Sequence, residues 1–156
     1  VARRYNPNAV IWDMSILPQR IDDVPSYTSV AGAHFNSLLD KVRGDIEAGK
    51  DESWIVVCAW SLADTGYEAG ILQYHDDRRH LLSQKIIEMV AEGIDVVFAA
   101  GNLGQFSPAQ GAGHYDIGPG RSVVGANGLP EVLTVGAVDP TGNWVGASSQ
   151  GVESKY

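Results

Sequence analysis

Cysteine is almost absent from this chain of 156 residues: Cys58 stands alone, so no disulfide can form within it. A reducing compartment fits that count, and so does a secreted fold that does without disulfides, which leaves localisation open. No Cys/His spacing of the metal-binding kind occurs either. No apolar run is long enough for a transmembrane helix. Positive charge is scarce, with 11 Lys and Arg against 19 Asp and Glu and a formal net charge of -8. That balance argues against nucleic acid or a membrane surface as the main partner. Internal repeats and low-complexity stretches are missing. The chain opens at Val1 without a methionine or signal peptide and stops at Tyr156 without a final element to close a fold. A single domain cut at both ends is the expectation.

What is present reads as one soluble domain, 44% hydrophobic and 19% charged, long enough to bury a core. Two apolar runs, Trp54 to Trp60 and Ile94 to Ala100, are rich in β-branched and aromatic residues and predict strands buried on both faces of a parallel sheet. Asn8 to Leu17 predicts a further strand before a loop marked by Pro18 and Pro25, and Glu131 to Val138 another, closed by a turn over Asp139 to Asn143. Between them lie two amphipathic helices. The first runs from about Tyr27 to Ala48, with Val30, Ala33, His34, Leu38, Val42 and Ile46 on its apolar face, Ser26 or Thr28 as N-cap and Gly49 as stop. The second covers Asp76 to Glu92. Alternating strands and helices predict an α/β fold, a parallel sheet with flanking helices.

In such sheets ligands collect beyond the carboxyl ends of the strands, and Gly101-Asn102 falls there. A side-chain amide can donate to an oxygen that becomes negative during a reaction, and the adjacent glycine admits a substrate backbone. An Asn after a strand is also a common turn former, so the pair alone leaves both readings open. His34 on an apolar helix face, and His75, His80 and His114, read as structural residues.

Three segments together, Val96-Val-Phe-Ala-Ala-Gly-Asn102, Leu129-Pro-Glu-Val-Leu-Thr-Val-Gly-Ala-Val-Asp-Pro140 and Ser148-Ser-Gln-Gly151, resemble the subtilisin-like serine peptidases in order and spacing. A softer resemblance reaches back through Ile55 to Leu62 and Pro7 to Ala9, where Ala63-Asp64 stands in place of the family's glycine pair. The resemblance implies a partial catalytic domain over residues 1–156, strongest over about 95–151. It implies Asn102 as the oxyanion-hole residue, Trp60, Ser61 and Leu62 as the substrate-binding edge, Ala100 and Gly101 as further substrate-binding residues, and cleft walls from Gly101 to Gly104. It implies peptide or protein substrates, the remainder of the same domain as a partner, secretion, and calcium as a cofactor, for which the residues themselves supply no carboxylate cluster.

The family's catalytic aspartate and histidine motifs belong upstream of Pro7 and its serine motif downstream of Gly151, so this chain alone is expected to be inactive. Asp64-Thr65-Gly66 imitates the aspartate motif but follows the substrate-edge strand, with no His-Gly-Thr-His after it. The resemblance also implies a missing strand between the first strand and Trp54 to Trp60, which predicts unpaired backbone, exposed apolar surface and a tendency to associate. A non-catalytic module of the same kind, for peptide binding or assembly, is the alternative, mildly favoured by Ala63-Asp64. A cofactor domain with Gly101 to Gly104 as a phosphate turn is a third, and it lacks Gly-x-Gly-x-x-Gly.

Overall fold

The computed structural model describes residues 2–16, 24–62, 74, 77–104 and 123–150. In order these form α1 (Ala2–Tyr5), α2 (Val24–Glu47), β1 (Ile55–Cys58), α3 (Leu81–Ala91), β2 (Asp95–Ala99), a 3-10 turn (Gly125–Gly128) and β3 (Leu133–Val135). The strands make one parallel sheet in the order β1-β2-β3, with Val57 beside Val97 and Val97 beside Leu133. The fold is α/β, and β1, α3 and β2 are its βαβ unit.

Both long helices stop for the same local reason. Gly49 (φ 71°) and Gly93 (φ 84°) occupy the left-handed region that ends a helix cheaply only with glycine. After α2, Gly49 N donates to Ile46 O and Lys50 N to Asp45 O; after α3, Gly93 N donates to Val90 O and Ile94 N to Met89 O. The paired bonds are a Schellman motif each time, and at α3 the buried Met89 and Ile94 add the apolar contact that accompanies it. The second motif turns the chain directly into β2.

The start of α3 is later than predicted. The helix begins at Leu81, because the ring of His80 caps it: Nδ1 accepts from Leu82 N at 3.1 Å. At α2 the predicted caps lie inside the helix, and Thr28 Oγ1 donates to Pro25 O instead. Its buried face is also rotated from the predicted one. Tyr27, Ala31, Phe35, Leu38, Leu39 and Val42 are buried, whereas Ala33 and Ile46 are exposed. The two stripes share Leu38 and Val42, and the one bearing Tyr27 and Phe35 removes more apolar area from water.

The core lies between these helices and one face of the sheet. Val56, Cys58, Val96 and Phe98 point to it, against Phe35, Leu39, Leu82, Ile86 and Met89. The prediction of strands buried on both faces fails. Ile55 is 64% exposed, Val57 71%, Leu133 63% and Val135 51%, and all four share the opposite face. Alternate residues of a strand point to opposite faces, and among the described residues both helices pack on one of them.

The strand predicted over Asn8 to Leu17 does not form in its described part. Residues 9–16 have no regular structure, and Val10, Ile11 and Trp12 are exposed. A strand needs a neighbour to receive its hydrogen bonds, and among the described residues β1 is bonded only to β2. The segment is held by side chains instead: Ile16 is buried, and Trp12 and Trp54 sit 6.2 Å apart with Lys41 Nζ 5.0 Å from each ring.

Two solution properties follow from buried or paired groups. Cys58 is 3% exposed, and burial pushes its thiol up to about 12. It should resist a thiol reagent at pH 8 in the native protein and react at the rate of a free cysteine in denaturant; rapid native labelling would contradict the packing. Asp45, bonded by Lys41 and Lys50, Asp77, bonded by Arg79, and Asp139, bonded by Thr141 and Asn143, are each held down at about 2. A carboxylate lowered from its unfolded value of about 3.9 stabilises the fold above that value and loses the contribution as pH falls toward the folded one. Melting temperature should therefore stay level above about pH 5 and drop between about pH 4 and 2. A flat profile down to pH 2 would show that these pairs contribute nothing.

Candidate functional site

Parallel pairing of β1 with β2 ends at Cys58 and Phe98, while β2 stays on β3 one residue longer, through Ala99 with Val135. Ala100 N extends that contact by donating to Val135 O at 2.9 Å. Where β1 departs, a crevice of about 190 Å³ opens at the carboxyl end of the sheet. Ala59, Trp60 and Ser61 line one side, and Ala99, Gly101, Asn102 and Leu103 the other. Residues some forty positions apart in the chain are thus brought to one opening by the parallel register.

Gly101 is required at the turn on two counts. Its φ is 99°, and a β-carbon there would lie 2.9 Å from Ser61 Oγ and 3.1 Å from Ser149 Oγ. The turn is braced from behind by the chain's last described residues. Ser149 N donates to Gly101 O, Ser149 Oγ accepts from Leu103 N, and Gly104 N donates to Ala147 O. Ser148 Oγ accepts from Ala137 N. Ser148 and Ser149 are buried, so both hydroxyls serve as backbone braces.

On the other wall, Trp60 is fixed by edge-on rings: Tyr27 and Phe98 each lie 5.1 Å from it. Trp60 Nε1, Ser61 Oγ and Tyr27 Oη are buried with no hydrogen-bond partner among the described residues. Burial, with a smaller contribution from Cys58, raises the Tyr27 hydroxyl well above its ordinary pKa.

Of the residues singled out from the sequence, Trp60, Ser61 and Gly101 line the crevice, and Asn102 stands exposed at its mouth. Ala100 is buried behind the turn, and Leu62 packs partly buried against the core. Neither lines the opening. Ala63, Asp64-Thr65-Gly66, His75 and His114 lie outside the described residues. His34 is half-buried on α2, and His80 is the cap of α3, its pKa lowered by burial against the opposing pull of Asp77. Among the described residues no group of His, Cys, Asp or Glu side chains could hold a metal ion, and no helix is long and apolar enough to cross a membrane.

One residue at the site carries no signal in the sequence. Asn127, in the 3-10 turn, is 0% exposed. Its Nδ2 donates to Trp60 O and to Ala99 O, both at 2.8 Å, and its Oδ1 accepts from Tyr74 Oη at 3.2 Å. Flanked by Gly125 and Gly128, it reads locally as a loop residue; only its three-dimensional partners reveal its role.

The arrangement sets Trp60 and Ser61 on one side of the opening and the exposed Asn102, beside a glycine turn, on the other. Such a pair can align a peptide and donate to its carbonyl oxygen. No protein-family model matches the chain, and no curated protein does.

Proposed function

We propose that this chain is the middle segment of a subtilisin-like serine endopeptidase, with Asn102 as the oxyanion donor. The observation that carries the reading is the shared crevice: Trp60 and Ser61, from the stretch of softer resemblance, and Gly101-Asn102, from the first of the three segments that bear it, meet at the carboxyl end of β1 and β2. The position is the one at which open parallel sheets place their chemistry.

In this reading a substrate peptide lies along Trp60 to Leu62, its scissile carbonyl directed at Asn102. A serine outside the segment attacks the carbonyl carbon while a histidine takes the hydroxyl proton, and an aspartate orients that histidine. The oxygen becomes negative in the tetrahedral intermediate and accepts a hydrogen bond from the Asn102 amide. Collapse expels the amine, which receives the proton from histidine, and water then releases the acyl group by the same steps in reverse.

The test is covalent labelling of the intact protein with a fluorophosphonate, a reagent that phosphonylates activated serines. One labelled serine outside residues 1–156, lost on heat denaturation, is the expected result. An intact protein that takes no label and yet binds extended peptides would establish the non-catalytic module, the reading favoured by Ala63-Asp64 in place of a glycine pair.

A further inference from the structure

We propose that Asn127 is a positioning residue that sets the width of the crevice between β1 and β2. The argument begins where the ladder ends. Beyond Cys58 and Phe98 the two strands no longer share backbone hydrogen bonds, so the carbonyls of Trp60 and Ala99 need other donors. One amide group supplies both. Asn127 Nδ2 bonds Trp60 O and Ala99 O at the same 2.8 Å, spanning 67 and 28 positions of sequence.

The orientation of that amide is dictated by its partners. Two carbonyl oxygens can only accept, so the NH2 must face them and Oδ1 must face Tyr74 Oη. The residue is anchored a fourth time through its backbone, whose oxygen accepts from Thr134 Oγ1 within β3. Asn127 therefore ties the chain just past β1, the end of β2 and the middle of β3 to one fully buried point, directly behind Trp60-Ser61 on one wall and Ala99 to Gly101 on the other. An aliphatic side chain of the same size would leave two partly buried carbonyls without this donor, and a carboxylate would repel them.

The geometric part of this proposal stands apart from the peptidase reading, whereas its consequence for catalysis rests on that reading. If the crevice seats a peptide, its width determines how far the substrate edge lies from Asn102.

Asn127→Asp in the intact protein keeps the shape and removes both donors. Amide hydrogen exchange should then accelerate about 10- to 100-fold in two separate segments, 59–62 and 100–104, with α3 unchanged. Acceleration confined to 125–134, or none, would overturn the proposal. Should Asn127→Asp prevent folding, Tyr74→Phe loosens the amide from its other end and should speed exchange in the same two segments by a smaller factor; no response in either would equally overturn it. The peptidase arm reads steady-state cleavage of a peptide substrate. A wider crevice raises KM and lowers kcat together, whereas simple loss of folded protein lowers the apparent kcat and leaves KM unchanged. An intact protein that cleaves nothing would sink the peptidase reading and leave the exchange result to decide the role of Asn127.

Discussion

On the proposed peptidase reading, Asn102→Ala in the intact protein should lower kcat by about 10²- to 10³-fold, roughly 3 kcal/mol of barrier, with KM changed less than about threefold. The asymmetry follows from when the bond is made. A ground-state carbonyl accepts only weakly from the amide, and the charged oxygen of the intermediate accepts strongly, so the loss falls on the chemical step. Because Asn102 is exposed, the variant should melt within about 1 °C of the parent. Steady-state kinetics on a peptide substrate, with a melting curve alongside, checks both halves. A kcat within twofold of the parent would remove Asn102 from the chemistry, however well the turn is built.

Phe98→Ala should destabilise the fold by about 3–5 kcal/mol, the cost of a cavity left by a deleted aromatic side chain. Phe98 is 0% exposed, lies in register between Cys58 and Thr134, and meets the Trp60 ring in a T-shaped contact. Against a stability of about 5–15 kcal/mol for an ordinary domain, that is a large share. The loss also reaches the site, since Trp60 is held from one side by Phe98 and from the other by Tyr27. Urea unfolding of the intact protein should show a lower midpoint at an unchanged slope, and native Trp fluorescence should shift to the red. A cost below 1 kcal/mol would mean that the ring is not part of a close-packed core.

The parts of the fold legible in the sequence were those decided locally. Ile55 to Cys58 and Asp95 to Ala99 are β-branched runs ending at polar turns, and Gly49 and Gly93 stop helices through their own backbone angles. The turn over Asp139 to Asn143 was legible for the same reason: Asp139 Oδ1 accepts from Thr141 N and Asn143 N, bonds across two and four positions. What could not be read depended on distant neighbours. An apolar run states a preference for burial without naming what will cover it, so Ile55 and Val57 were expected inside and lie exposed. Residues 9–16 have the composition of a strand, and among the described residues no strand pairs with them. The site divides the same way. Gly101-Asn102 is marked by the end of a strand, whereas Asn127 matters through Trp60, Ala99 and Tyr74, which no short window of sequence contains.

The bare face of the sheet also shapes the thermodynamics. Ile55, Val57, Leu133 and Val135 are already hydrated in the folded chain, so unfolding wets less new apolar surface than it does in a domain covered on both sides. Heat capacity of unfolding tracks that surface, and here it should fall below the usual value of about 12–15 cal/mol/K per residue. A smaller increment makes free energy vary more gently with temperature. The fold would then owe its limits less to the fading of hydrophobic stabilisation in the cold than to how little of that stabilisation it holds at any temperature.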